Sequence, residues 1–276
     1  MEIKRLNLKD YYPFLGEGDA NPYVDAYLQP DVMRRKDFKR PCLIICPGGG
    51  YGFCSDREAE PIALNFLPEG FNIFILYYTC RIKKYPTQLL ETAALMELIY
   101  KNAEEWQCDT DKISIMGFSA GGHLACHYST SFDCAEVRKV FPQSKGPNGA
   151  VLCYPVITAK EGKCHPGSFV NLVGHHPLTE DEEKIFSLEN CVTDRTPPTF
   201  IWHTTEDTAV PVYGSIAYAK ALSEHNVPFE LHIFPKGWHG IATSDSQTME
   251  TDGGFCRYNH IWLEEFKKWF EFMGLK

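Results

Sequence analysis

Apolar residues in this chain gather in short unbroken runs, and between the runs they recur at helical spacing. Pro41–Cys46, Asn72–Tyr78, Ala150–Tyr154 and Pro198–Trp202 are of the first kind. Such a run, without polar residues on alternate positions, suits a strand covered on both faces, as in a parallel sheet. Lys112–Met116 and Phe229–Phe234 alternate and are also strand-like. Helical spacing marks the stretch with Ala63, Leu64, Phe66 and Leu67, then Pro86–Asn102, Pro211–Glu224, and Arg257–Met273 with Trp262, Phe266, Trp269 and Phe270. Strand and helix in alternation predict a mostly parallel α/β sheet with helices on both faces.

Local signals refine the boundaries. Ile3–Leu8 and Tyr23–Leu28 read as edge strands that end in a basic turn, Arg34-Arg35-Lys36. Ser55-Asp56-Arg57-Glu58 has the form of a capping box, Glu60-Pro61 is an alternative helix start, and Gly70 a stop. From Ile157 to about Pro197 the periodicity weakens, and this segment reads either as a small cap over the sheet edge or as a surface excursion. No linker and no repeat divides residues 1–276, so one domain is expected.

Composition narrows the classes. Hydrophobic residues make up 44% and charged residues 23%, as in ordinary globular proteins. The formal net charge of −9 and the lack of a basic stripe exclude nucleic acid and anionic lipid as natural partners. Eleven cysteines, an odd number scattered from Cys42 to Cys256 without C-x-x-C spacing, fit reduced thiols better than a disulfide framework. The first residues lack the apolar core of a signal peptide, and no run approaches a membrane span, so a cytoplasmic protein is expected. Whether it assembles as a homo-oligomer is left open.

The chemistry is concentrated in four loops. Gly117-Phe118-Ser119-Ala120-Gly121 reads G-x-S-x-G between a strand and a helix, the setting of a nucleophile elbow; an ordinary strand-to-helix turn or a phosphate loop would share those five residues. Pro47-Gly48-Gly49-Gly50-Tyr51-Gly52 follows a core strand and frees backbone N–H groups, without the pattern of a nucleotide-binding loop. Asp207 lies in the turn after the strand ending at Trp202, and His239 sits in Gly237-Trp238-His239-Gly240 after the last strand. Serine, aspartate and histidine thus come in the order of the α/β-hydrolase triad. Tyr51 and Trp238, beside these loops, are expected to line the pocket, as are Pro155 and Val156 after the next strand; such rings would favour a small acyl group and could stack on a sugar. His175-His176 could serve a metal only with further ligands, and the chemistry calls for neither metal nor cofactor.

On these phrases the chain resembles bacterial carboxylesterases of the α/β-hydrolase superfamily, of the acetyl-esterase and acetylxylan-esterase type, also described as sugar hydrolases or lipases. The likeness is carried by Cys46–Tyr51, Gly117–Ala125, Asp207–Pro211 and Gly237–Gly240 and covers roughly residues 20 to 275. It implies the α/β-hydrolase fold, Ser119 as nucleophile, His239 as base and Asp207 as orienting acid, with Glu206 the rival. The N–H groups of Gly49, Gly50 and Ala120 would bind the oxyanion, and the substrate would be a small ester such as an acetylated sugar. Pro47 stands where many relatives have histidine, so the glycine loop must be braced in another way. An amide hydrolase on the same residues, or a non-catalytic binding protein of this fold, are the rival readings.

Overall fold

The buried runs pair side by side, and that pairing sets the architecture. The computed structural model describes residues 1–35, 37–249, 251 and 255–276; Lys36 of the basic turn and the side chain of Cys256 lie outside the described residues. The strands are β1 (Glu2–Asn7), β2 (Tyr23–Leu28), β3 (Arg40–Cys46), β4 (Asn72–Tyr77), β5 (Cys108–Phe118), β6 (Gly149–Cys153), β7 (Thr199–Thr204) and β8 (Phe229–Phe234). They form one sheet in the order β1-β2-β4-β3-β5-β6-β7-β8. β1–β2 and β2–β4 are antiparallel and every later pair is parallel.

The helices are α1 (Leu8–Tyr11), α2 (Glu60–Phe66), α3 (Thr87–Lys101), α4 (Ser119–Ser131), α5 (Ala135–Val140), α6 (Pro166–Val173), α7 (Glu180–Phe186), α8 (Tyr213–Glu224), α9 (Cys256–Asn259) and α10 (Trp262–Phe272). α3, α4 and α8 cover one face of the sheet, α2 and α10 the other. Ile44, Ile45, Ile115 and Met116 are wholly buried between the two layers, as their unbroken runs require. On the α10 side, Trp202 stacks on Trp262 at 5.0 Å and Phe66 meets Phe266 edge-on at 5.1 Å. Each such pair adds about 0.5–1.5 kcal/mol beyond the area it buries.

Several boundaries differ from the sequence reading. β2 is not an edge strand: it lies between β1 and β4, with Tyr23 stacked on Tyr77 at 4.5 Å. β5 begins at Cys108, because a register shift between Arg40 and Cys42 lets the polar residues before Ile113 extend the strand at the sheet's rim. Ser55 caps no helix; α2 starts at Glu60 with proline in its first turn, and Glu58 points inward instead. The C-terminal helix is broken before Trp262, where Asn259 donates to the Lys236 carbonyl and His260 to the Thr243 carbonyl, both at 2.7 Å. The weakly periodic segment holds α6 and α7, and its acidic patch is the first turn of α7, capped by Thr179 and Glu182. No described helix is long and apolar enough to cross a membrane.

Candidate active site

Ser119 owes its position to the closeness of β5 and α4. The strand ends at Phe118 and the helix begins at the next residue, so Ser119 takes φ of +52° in the left-handed region. A non-glycine residue there costs roughly 1–3 kcal/mol, which the flanking packing must hold. The glycines permit that packing: a Cβ at Gly117 would stand 2.1 Å from the Gly121 carbonyl, and one at Gly121 2.1 Å from that of Cys46. Ser119 is left 6% exposed at the end of the central strand.

Asp207 and His239 arrive from the ends of β7 and β8. Ser119 Oγ lies 2.7 Å from His239 Nε2, and His239 Nδ1 lies 2.6 Å from Asp207 Oδ2. The other Asp207 oxygen accepts the N–H groups of Ala209 (3.0 Å) and Val210 (2.8 Å). His203 Nε2 stands 3.2 Å from Asp207 Oδ2 and 3.0 Å from the Val210 carbonyl; since a carbonyl only accepts, this nitrogen carries the proton and donates to both. Burial alone would push the Asp207 carboxyl up, but the hydrogen bonds from His203 and His239 outweigh it and hold the group well below the usual carboxylate range. An ionised Asp207 fixes His239 with its proton on Nδ1, leaving Nε2 free to accept from Ser119. Glu206 is turned away and, among the described residues, accepts only the Gly237 N–H, at 3.2 Å.

The glycine loop is braced from several sides. Tyr78 donates its hydroxyl to the Pro47 carbonyl at 2.7 Å, and Asn171 donates to the Gly50 carbonyl at 2.8 Å. Buried Glu58 accepts the Gly48 N–H at 2.9 Å and the Tyr154 hydroxyl at 2.7 Å; the same hydroxyl accepts the Ala242 N–H at 3.0 Å. One carboxylate thus ties the glycine loop to the loop that follows His239. Gly49 and Gly50, at φ of +120° and +63°, line the cleft beside Ser119, and no described residue accepts from their N–H groups. Ala120, the residue after Ser119, is buried in the first turn of α4.

A cleft of about 370 Å³ opens over Ser119 and His239. None of the four expected lining residues borders it. Tyr51 is buried, and its hydroxyl donates to His123 Nδ1 at 2.9 Å while His123 Nε2 donates to the Phe186 carbonyl at 3.1 Å. Burial pushes the His123 pKa down to about 4, so the ring stays neutral and serves as a spacer between the glycine loop and α7. Trp238 is turned to the surface against Phe255, Pro155 packs over Gly122, and buried Val156 donates its N–H to the Ser119 carbonyl at 3.0 Å. Tyr51 is therefore a support of the glycine loop, and Trp238 a surface ring. The lining comes instead from Phe53, Arg57, Glu58, Arg81, His165 and Asn171 together with bare glycines. The last two belong to the 157–197 segment, which thus forms one wall of the cleft. His175 pairs with Glu182 and His176 meets Cys164, so the two neighbours point to different partners; no metal-holding cluster occurs among the described residues.

Fold and site together define an α/β hydrolase. The BD-FAE family pattern matches residues 25–222, and the chain belongs to that family. It is 39% identical over 234 residues to an endo-1,4-beta-xylanase B of Butyrivibrio fibrisolvens, covering 82% of this chain and 35% of that protein. An acetylxylan esterase of Xylanibacter ruminicola is 28% identical over 82% of this chain and 44% of its own length. The chain therefore spans less than half the length of these two relatives. Solved structures match from end to end: the acetyl ester-xyloside bifunctional hydrolase from Caldicellulosiruptor lactoaceticus has a TM-score of 0.86 at 34% identity, over 99% of this chain and 97% of that one. The carboxylesterase Cest-2923 from Lactobacillus plantarum has a TM-score of 0.83 at 26% identity, over 100% and 98%.

Proposed function

We propose that this protein is a serine carboxylesterase that removes short acyl groups, acetyl foremost, from small esters such as acetylated sugars. Ser119 Oγ attacks the ester carbonyl while His239 Nε2 takes its proton; the Gly49, Gly50 and Ala120 N–H groups receive the oxyanion. His239 then returns the proton to the leaving alcohol, and a water activated by the same imidazole hydrolyses the acyl-enzyme. Asp207 keeps the imidazole in the required tautomer and stabilises its charge. The observation that carries this reading is the continuous hydrogen-bonded line from Ser119 through His239 to Asp207, at 2.7 and 2.6 Å, opening on the glycine-lined cleft.

Support for a short acyl group comes from the cleft and not from Tyr51 or Trp238. Among the described residues lining it, Phe53 is the one large apolar side chain, so a long acyl chain would lie against charged and polar groups. The names of the acetylxylan esterase and the acetyl ester-xyloside hydrolase agree with that preference. The test is hydrolysis of p-nitrophenyl acetate, butyrate and octanoate by the native protein and by Ser119→Ala. The acetate should exceed the octanoate in kcat/KM by about tenfold or more, and Ser119→Ala should lose roughly 10⁴-fold or more in kcat while melting like the native protein. Octanoate turned over as fast as acetate would remove the short-acyl reading; a fully active Ser119→Ala would remove the serine mechanism.

A further inference from the structure

Charged donors outnumber charged acceptors in the cleft that holds Ser119. Arg57 follows the glycine loop and Arg81 follows β4; both line the cleft, and neither guanidinium has an acceptor among the described residues. Elsewhere in the molecule Arg5, Arg35 and Arg195 each hold a carboxylate. The carboxylate lining the cleft, Glu58, is buried and already accepts from Gly48 and Tyr154. Two cations facing a substrate cavity without a counter-charge leave a position for a negative group.

Arg81 is solvent-exposed, and its backbone is fixed at the edge of the cleft. Its backbone sits at φ of +62° with its N–H donated to the Tyr51 carbonyl at 3.1 Å, so the base of the side chain is fixed to the glycine loop. A Cβ at Gly52 would stand 3.2 Å from Asn171 Nδ2 and 3.3 Å from Arg81 Nε. The bare glycine therefore leaves room beside it for the guanidinium and the Asn171 amide, both of which line the cleft. His165 lines the same cleft beside the glycine loop, 3.6 Å by its Cε1 from where a Gly50 Cβ would be. The Ser168 N–H donates to His165 Nδ1 at 3.3 Å, so Nδ1 is an acceptor and the proton of the neutral ring is on Nε2. Burial favours that neutral form by lowering the His165 pKa. The group adds a further donor to the same wall.

We propose that the natural ester carries an anionic group, a carboxylate or a phosphate, on its alcohol part, and that Arg57 and Arg81 bind it while Ser119 attacks the acyl carbonyl. This rests on the short-acyl esterase reading, because an acetyl group leaves only the alcohol to bear the charge. With a net charge of −9 the protein's long-range field does not gather anions, so selection of one must come from these contacts. Charge-assisted hydrogen bonds of this kind correspond to roughly ten- to hundredfold in kcat/KM.

The experiment measures acetate release from mono-O-acetyl esters of methyl glucoside, methyl glucuronoside and methyl glucoside 6-phosphate, by the native protein and by the Arg57→Gln/Arg81→Gln double variant. The native protein should favour one of the anionic esters over the neutral one by tenfold or more, chiefly through KM, and the larger ratio identifies the anion. In the double variant the ratio should fall to within about twofold of unity. General damage lowers all three rates together and leaves the ratio unchanged. A native ratio near unity, or a ratio that survives in the double variant, overturns the proposal. If none of the three esters and no p-nitrophenyl acetate is cleaved, the esterase reading fails separately. Calorimetric binding of methyl glucuronoside and of methyl glucoside 6-phosphate then decides: at least tenfold weaker binding of either by the double variant supports the anion site, and equal or absent binding in both proteins overturns it.

Discussion

Asp207 and Glu206 are neighbours in sequence with opposite surroundings. Asp207 accepts from two imidazoles and two backbone N–H groups, whereas Glu206 holds a single N–H of the loop before His239. Replacing Asp207 by Asn places an amide that can donate to His239 Nδ1 and so favours the wrong tautomer. Asp207→Asn should therefore lose roughly 10³–10⁴-fold in kcat. Glu206→Gln keeps an acceptor for Gly237 and should stay within about threefold; the reverse pattern in p-nitrophenyl acetate turnover would transfer the acid's role to Glu206. These residues could be found in the sequence because each lies in a short glycine- or turn-rich phrase after a strand. Glu58 could not, since its serine three residues earlier imitates a capping box while its true partners are ten residues before it and 96 after it. Sequence neighbourhood misled at Tyr51 and Trp238 for the same reason: adjacency to a loop does not say which way a ring turns.

At the level of elements, the glycine loop and the histidine loop are linked through Glu58 and Tyr154. This linkage stands where Pro47 removes the histidine brace that the family resemblance leads one to expect. Glu58→Gln keeps one acceptor for Gly48 but turns an amide N–H₂ toward the Tyr154 hydroxyl, whose own proton then lacks its partner. The glycine N–H groups would be less well aimed at an oxyanion, and an oxyanion donor is worth about 10²–10³ in kcat when removed outright. Glu58→Gln should lower kcat about tenfold or more with KM changed little, and Tyr154→Phe should do the same. The double variant should lose no more than the worse single one, because both cut one linkage. Additive losses would mean that the two residues act separately. Core strands β3, β4, β6 and β7 were legible because burial on both faces leaves an unbroken apolar run. α5, six residues long, and the start of β5 were not, since a short helix and a polar strand end carry no periodic signal.

Across the whole molecule the sheet order brings the ends of β3, β5, β7 and β8 to one rim, and the turn after β4 adds Arg81 to it. That turn is anchored from beneath by α3. Glu91, wholly buried, accepts the Thr79 N–H at 2.8 Å and the Thr79 hydroxyl at 2.5 Å, while Gln88 donates to the Thr79 carbonyl at 2.7 Å. Burial pushes the Glu91 carboxyl up to about 8, and the Thr79 hydrogen bonds recover only part of the ordinary acidity. The unfolded chain releases this proton near the usual glutamate value of about 4.3, whereas the fold keeps it. Between those two values stability falls as pH rises, by at most about 1.4 kcal/mol per pH unit, and beyond about pH 8 this contribution is constant. The ionised carboxylate accepts the Thr79 hydroxyl, whereas the protonated one donates to it; Glu91→Gln mimics this second form, with its oxygen accepting from the Thr79 N–H and its amide donating to the Thr79 hydroxyl. Its melting temperature should match the native one near pH 5 and exceed it increasingly up to about pH 8. A difference that stays level across that range would show that Glu91 is already ionised in the fold and that α3 holds the cleft's rim by a charge instead of a shared proton.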